Sequence, residues 1–287
     1  MKKINNPDKM RIILLVILII LTSCSTAPKN SGDVYNLRRQ AEAGLKSANS
    51  EAAKGNFNIA LSLLTDFKRS AVLTDDSSLI IRICLARGNI MFSLGSTEEA
   101  FMEWDQAISE AQRFKNIELL AVSRIFKARG DLMSNRASAQ SVLDIITRES
   151  QDIKSSRLYS AFAWQVRGLT LSSLRRYSEA EEAIKNSLNI HEKDKLLENA
   201  SYDWYIIASI RSLAGNTAGA LQALNESIIL DRRIENSWGI ASSYRAMGDV
   251  YTKTGRSSEA KEAYERARAI YVAMGNDYEV AEIDKKL

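Results

Sequence analysis

Small residues recur along this chain at intervals of about 40 and mark out repeated copies of one pattern. No proline follows Pro28, and the chain beyond it is rich in Ala, Leu, Ser, Glu, Lys and Arg, which favour helices. Strict alternation of apolar and polar residues, which predicts strands, is absent from the sequence. The recurring small residues are Ala48, Gly88, Gly130, Gly168, Ala208 and Gly248. The pattern predicts an all-α repeat protein with six copies between residue 35 and about residue 274.

Each small residue has companions at fixed distances along the chain. Four residues before it stand Gly44, Cys84, Phe126, Trp164, Trp204 and Tyr244, and the last four of these are aromatic. Seven residues after it we expect a turn, at Gly55, Gly95, Ala137, Arg175, Gly215 and Gly255. Twelve residues after it come Ala60, Ala100, Val142, Ala180, Ala220 and Ala260. Each copy therefore predicts two antiparallel helices that approach closely at small residues, and such pairs bury their apolar faces only by stacking.

The clearest copy carries Tyr244, Gly248 and Tyr251 on its first helix and Ala260 and Tyr264 on its second. It resembles the tetratricopeptide repeat (TPR), which implies a right-handed α-solenoid over residues 35–287. About six TPR-like helix pairs would be followed by a C-terminal capping helix within residues 276–287. The family's usual repeat has about 34 residues. Since no glycine or proline marks the junction between pairs here, we predict longer helices and not longer loops.

The first 24 residues have the organisation of a secretory leader. A basic start precedes Ile12 to Leu21, an aliphatic run too short for a bilayer-spanning helix of about 20 residues. Leu21, Thr22, Ser23 and Cys24 resemble the lipobox of bacterial lipoproteins. The resemblance implies a cleaved signal peptide over residues 1–23 and lipidation of Cys24. The polar residues that follow include one proline and one glycine and predict a flexible tether over residues 24–34. A chance cysteine after an ordinary signal peptide, or a short membrane anchor, is the alternative.

The leader also accounts for most of the positive charge. The whole chain has 39 basic and 35 acidic residues, and residues 1–23 hold four of the basic and one of the acidic ones. Removing them leaves 35 basic and 34 acidic residues, a net charge of +1. The mature chain therefore gives no electrostatic reason to expect a nucleic-acid partner.

Residues with catalytic or metal-binding potential are few. The single histidine, His191, is expected at the solvated end of a second helix, and Cys84 is expected to be a buried apolar residue. No Cys/His or carboxylate cluster has metal-ligand spacing, and no glycine-rich phosphate loop precedes a helix. We predict no cofactor, no metal site and no enzymatic activity, although a catalytic pair assembled from distant repeats stays open.

The TPR resemblance implies that partners bind on the concave face, which the first helix of each pair lines. The predicted partner-binding residues are Asn49, Arg82, Asn89, Phe92, Arg124, Lys127, Phe162, Gln165, Tyr202, Tyr205 and Arg245. One departure from the family is an arginine directly before the small residue in three successive copies, at Arg87, Arg129 and Arg167. These three guanidinium groups either snorkel along the helix or face an acidic partner or a glycan.

Together the leader and the repeats predict a lipid-anchored scaffold that binds a protein or peptide partner in the bacterial cell envelope. Ser25 after the cysteine favours the outer membrane, facing the periplasm, by the sorting rule of enteric-type lipoproteins. Two alternatives remain open, a ligand-binding accessory of an envelope transport system and an adapter for a cell-wall enzyme. The sequence does not indicate the partner or the oligomeric state.

Overall fold

A computed structural model of the protein describes residues 36–287, and thirteen α-helices run through that part of the chain. The predicted signal peptide, Cys24 and tether lie outside the described residues. The helices form six antiparallel pairs and a final capping helix, so the predicted all-α solenoid is confirmed. The first helices of the pairs are α1 (Asn36–Ala53), α3 (Ser77–Ser93), α5 (Ile117–Met133), α7 (Arg157–Ser173), α9 (Leu197–Leu213) and α11 (Ser237–Lys253).

The second helices pack against them along the other side of the solenoid. They are α2 (Phe57–Leu73), α4 (Thr97–Arg113), α6 (Ala139–Glu149), α8 (Tyr177–Lys193), α10 (Thr217–Arg233) and α12 (Ser257–Ala273), and the capping helix is α13 (Asp277–Asp284). Most helices have 17 residues and most connections have three. The extra length of the repeat therefore lies in the helices, as predicted.

A residue in the left-handed conformation ends almost every helix. Inside the pairs these residues are Gly55, Gly95, Asn135, Arg175, Gly215 and Gly255, and between pairs they are Asp75, Lys115, Lys195, Glu235 and Gly275. A left-handed residue turns the chain while it satisfies the last helical carbonyls. Between pairs the next residue often caps the following helix. Asp76 and Asn116, for example, each accept a hydrogen bond at 3.0 Å from a backbone N–H three residues on.

The third copy differs from the sequence prediction in its register. Helices α3, α5 and α7 begin at intervals of 40 residues, so the counterpart of Gly88 in α5 is the buried Ala128 and not Gly130. The α5–α6 turn holds five residues, 134–138, and a shortened α6 followed by the 3-10 turn Ser150–Asp152 restores the spacing. This turn is two residues longer than the turns inside the other pairs. Gly130, and not Ala128, therefore lies at the expected distance of twelve residues before Val142 in α6.

The recurring glycines mark places where two helices of a pair nearly touch. A Cβ atom added at Gly88, Gly168 or Gly248 would overlap Trp104, Ile184 or Tyr264, respectively, of the second helix in the same pair. Gly130 faces Trp104 and Phe101 of the preceding pair instead. Each small residue thus accommodates a large buried side chain on the facing helix.

The two ends of the superhelix meet. Gly55, in the α1–α2 turn, faces the side chains of Trp238 in α11 and Met274 at the end of α12. The Phe57 and Trp238 rings meet edge to face with centroids 5.4 Å apart, and Trp238 packs on Tyr271 at 5.6 Å. We call the group Gly55, Phe57, Trp238, Tyr271 and Met274 the closure contact. It makes the concave face the wall of a partly enclosed space.

Substitution of Gly248 by alanine tests the close approach of α11 and α12. We expect a loss of about 1–3 kcal/mol in the free energy of unfolding, because the new methyl group overlaps the Tyr264 ring. In a Tyr264→Ala background the same change should be neutral or stabilising, since alanine favours helix over glycine by about 1 kcal/mol. Urea unfolding of the four proteins measures the difference. Equal losses in both backgrounds would contradict this packing.

Substitution of Trp238 by alanine tests the closure contact. We expect the first and last pairs to separate, because Trp238 contacts both Phe57 and Tyr271. Spin labels on the exposed positions Asn58 and Asp277, in a Cys24→Ala chain, report their distance.

Burial raises the pKa of the Cys84 thiol to about 12, so this cysteine does not compete for the label. Trp164→Ala is the matched control, since Trp164 is more than a third exposed and lies away from the closure contact. An unchanged distance distribution in Trp238→Ala would show that the ends stay together without this residue.

Candidate functional site

The space inside the superhelix contains two neighbouring cavities that share Tyr202. The first has a volume of about 380 Å³ and is lined mainly by α1, α3, α5, α7 and α9. We call it the basic cavity, because its wall includes Arg82 and Arg129. Most lining residues occupy equivalent positions in successive repeats. They lie six, three or two residues before the small residue of their helix, or one residue after it. Its polar side chains are Asn49, Arg82, Asn89, Arg129, Tyr159, Gln165, His191, Asn199 and Tyr202.

The two arginines of the basic cavity have no acidic partner. Among the residues that the structure describes, no carboxylate lies within ion-pairing distance of Arg82 or Arg129. Arg129 Nη1 donates a long hydrogen bond, 3.5 Å, to the side-chain oxygen of Asn89. Two guanidinium groups and several carboxamides therefore face one cavity, a combination that suits a carboxylate and peptide groups.

Aromatic side chains complete the wall of the basic cavity. The Phe126 and Phe162 rings stack with centroids 4.0 Å apart, which brings α5 and α7 together at this point. Burial raises the pKa of the Tyr159 phenol, and the nearby positive charge of Arg82 opposes that shift. The cavity offers both apolar surface and charge to a ligand.

The second cavity has a volume of about 470 Å³ and lies between α9, α10 and α11, and Ala53 and Met133 also line it. We call it the acidic cavity, because Glu198 and Asp231 line it and neither has a cationic partner in residues 36–287. Burial raises the pKa of both carboxyl groups, and the charge of Asp231 raises that of Glu198 further. Arg245 also lines it but is ion-paired with Glu279 of the capping helix.

Three aromatic residues face the acidic cavity. Tyr202 and Tyr205 lie nearly parallel, with ring centroids 6.4 Å apart, and Trp238 comes from the closure contact. Electron-rich ring faces beside two carboxyl groups form an environment that suits a positive charge. The acidic cavity is therefore the chemical opposite of its neighbour.

Comparison with known proteins agrees with this architecture. Residues 199–271 match the family model of the tetratricopeptide repeat. The fold is that of a TPR solenoid. No curated protein matches the chain.

Solved structures with a similar fold share little sequence with the protein. A Rap protein complexed with Competence and Sporulation Factor has a TM-score of 0.59 and 13% identity, covering 88% of this chain and 76% of that one. BtubC from P. vanneervenii has a TM-score of 0.54 and 12% identity, covering 84% and 92%. A putative kinesin light chain from Podospora anserina has a TM-score of 0.50 and 16% identity, covering 68% and 96%. At such identities the likeness describes the fold alone.

Most of the predicted concave residues of this TPR solenoid line the two cavities. Asn49, Arg82, Asn89, Phe162, Gln165 and Tyr202 face the basic cavity, and Tyr202, Tyr205 and Arg245 face the acidic one. Their role in binding a partner stays a prediction. Phe92 is different, since it packs against Trp104 in the core with ring centroids 5.6 Å apart.

The concave positions predicted in the third copy were wrong. Lys127 pairs with Asp105 of α4 at 2.6 Å, and Arg124 pairs with Glu149 at 3.2 Å, so both lie on the side of the second helices. The residues that take the concave positions in α5 are Phe126 and Arg129. The error arose because Gly130, and not Ala128, was assigned as the small residue of the third copy. Ala128 lies 40 residues from both Gly88 and Gly168, and this constant spacing could have identified it.

The same correction changes the predicted arginine series. The position before the small residue holds Arg87, Lys127 and Arg167, whereas Arg129 belongs to the basic cavity. Arg87 Nε pairs with Glu103 at 2.8 Å, and Arg167 reaches Thr147 of the preceding pair. These basic side chains join neighbouring helices and do not form a free surface for an acidic partner.

His191 was predicted to be solvated, and the structure contradicts this. It is 1% exposed, and its Nδ1 lies 2.6 Å from the Asp203 carboxylate on α9. Ser187 and Gln165 donate hydrogen bonds to the same carboxylate at 3.1 and 2.7 Å. The three donors compensate a buried charge between the fourth and fifth pairs, and they fix Gln165 and His191 at the wall of the basic cavity.

Residues 36–287 contain neither a group of metal ligands nor a helix that could cross a membrane. No group of three or more metal-ligating side chains occurs in that part of the chain. None of its helices combines the length and apolar character that crossing a bilayer demands.

Proposed function

We propose that the protein is a lipid-anchored envelope protein whose TPR solenoid binds a peptide segment of a partner inside the superhelix. The observation that carries this proposal is the pair of adjoining cavities, which present unpaired charges and aromatic rings on a rigid frame. Volumes of about 380 and 470 Å³ fall in the range of ligand sites, about 300–1,000 Å³.

Binding without catalysis fits the chemistry of the site. The Ser187, His191 and Asp203 side chains have the residue types of a hydrolase triad, but Ser187 and His191 are both hydrogen-bonded to the Asp203 carboxylate. A hydrolytic serine would need to donate to a histidine that is held by the acid on its other nitrogen. The group here stabilises the junction of two repeats, and TPR folds generally serve as interaction scaffolds.

One solved structure of this fold contains a bound partner. The Rap protein, which the chain resembles over most of its length, was crystallised with Competence and Sporulation Factor. The closure contact favours a second candidate function, in which the superhelix captures a free ligand for an envelope transport system. The two candidates share the same interior site and differ in whether the ligand is part of a larger protein.

The membrane anchor is proposed from the leader. Cys24 follows Leu21-Thr22-Ser23, and residues 24–34 would tether the solenoid to the membrane. Two or three acyl chains at about 0.8 kcal/mol per buried methylene would hold it firmly. Ser25 supports the outer membrane, facing the periplasm, as the location.

Substitution of Cys24 by alanine tests the anchor. We expect loss of palmitate labelling and accumulation of the uncleaved precursor, because the thiol is the proposed acceptor of the lipid. Labelling of cells followed by mass determination of the purified protein measures both. Cys84→Ala is the control and should be labelled and cleaved normally, since Cys84 is buried in the solenoid. A labelled Cys24→Ala protein of mature mass would refute the anchor.

A photo-crosslinking amino acid at Tyr202 tests binding inside the superhelix. Tyr202 is 42% exposed and lines both cavities, so we expect adducts in living cells that map to one linear segment of a partner. Placement of the same group at Tyr278, which is 73% exposed on the capping helix, is the control. Phe162→Ala should lower the Tyr202 adduct yield severalfold by removing part of the wall. Equal adducts from both positions would contradict an interior site.

A further inference from the structure

The two cavities inside the superhelix carry opposite charges and meet at Tyr202. Arg82 and Arg129 line one, and Glu198 and Asp231 line the other. None of these four side chains has an oppositely charged partner in the described part of the chain. Arg245, which also lines the acidic cavity, is paired with Glu279. Unpaired charges that line two adjoining cavities point to groups that a ligand supplies.

The basic cavity suits a carboxylate. A guanidinium group binds a carboxylate through two parallel hydrogen bonds, and two of them in one cavity make such a contact stronger. Asn49, Asn89 and Asn199 add side-chain amides that both donate and accept, as peptide groups require. An extended peptide would find partners for its main chain and for one acidic end.

The acidic cavity suits an ammonium or guanidinium group. Asp231 is buried, and its carboxylate accepts a hydrogen bond from Asn236 at 2.8 Å but meets no cation. Burial raises the pKa of both carboxyl groups, and Asp231 lies near enough for its charge to raise the pKa of Glu198 further. A cation between them would remove that repulsion, and the faces of Tyr202, Tyr205 and Trp238 would add cation–π attraction.

We infer that the interior binds one linear peptide of opposite end charges, with its acidic end at Arg82 and Arg129 and its basic end at Glu198 and Asp231. The inference rests on the proposed interior site and specifies the chemistry of its ligand. The middle of the peptide passes Tyr202, which lines both cavities. A uniformly acidic ligand, such as a nucleic acid, would meet two carboxyl groups at one end, and a uniformly basic one would meet two arginines at the other.

Short synthetic peptide libraries test this inference with the intact protein. Four libraries carry fixed ends, acidic-to-basic, basic-to-acidic, all acidic or all basic, and randomised apolar and polar residues between them. We expect the protein to select one of the two mixed libraries at least about tenfold over the uniform ones. Acetylated and amidated versions of the selected peptides lack the terminal charges, so their affinity shows whether the protein binds the peptide termini or charged side chains.

Charge reversal assigns each end to its cavity. Arg82→Glu should lower the affinity of the selected peptide about tenfold or more and shift selection toward two basic ends. Glu198→Lys should shift selection toward two acidic ends. Arg69→Glu, an exposed change on the second helix α2, is the matched control and should alter neither. Melting curves of each variant confirm that it folds.

Two results would overturn the inference, and they differ in what they imply. Selection that ignores end charge, or that survives both reversals, would refute the charge assignment while leaving an interior peptide site in place. No binding from any library, with photo-adducts at Tyr202 also absent, would refute the interior site itself. Preferred binding of an all-acidic ligand such as single-stranded RNA over every peptide would replace the peptide with another class of partner.

Discussion

The fold depends on the close approach of two antiparallel helices at one small residue in each pair. Where Gly88, Gly168 and Gly248 stand, no Cβ atom would fit beside the large residue of the facing helix. The approach fixes how one helix lies on the next, because interdigitated side chains define a narrow range of crossing geometry. Repetition at 40-residue intervals repeats that geometry from pair to pair. The superhelix, and with it the enclosed space, follows from the repetition.

Much of this architecture is readable in the sequence, because small and large residues recur with one period. The helix pairs, their long helices and the capping helix were predicted in this way. The register of α5 was not, since Gly130 imitates the recurring glycine while the inserted residues lie in the turn 134–138. Local pattern cannot distinguish a glycine that faces its own pair from one that faces the preceding pair.

The site was predictable only in part, for a different reason. The TPR resemblance implies which helical positions face the concave side, and the repeat spacing then assigned Arg82, Phe162 and Tyr202 to those positions. The enclosure of these residues was not, because it depends on the contact between Phe57 and Trp238, which are far apart in sequence. His191 was misjudged because its partner Asp203 lies on the next helix, and the sequence gives no sign that the two side chains converge.

Buried polar groups recur at the junctions that surround the site. Ser227, Asp231 and Ser243 in the fifth and sixth pairs occupy the same repeat positions as Ser187, His191 and Asp203, each 40 residues earlier. A buried polar network stabilises a junction only when each of its polar groups has a hydrogen-bond partner. A slipped helix register would leave some of these groups unpaired, which costs more free energy than the loss of an apolar contact. We interpret these two networks as devices that hold the wall of the cavities in one arrangement.

The closure contact and the interior site are physically joined through Trp238. Its ring packs against Phe57 and Tyr271 and also lines the acidic cavity. A ligand that touches Trp238 therefore has different contacts in the closed superhelix and in one whose ends have separated. Any such difference in affinity shifts the population toward the state that binds more tightly. If a ligand binds the closed superhelix more tightly, linkage requires that the ligand stabilise closure by the same free energy by which closure strengthens binding.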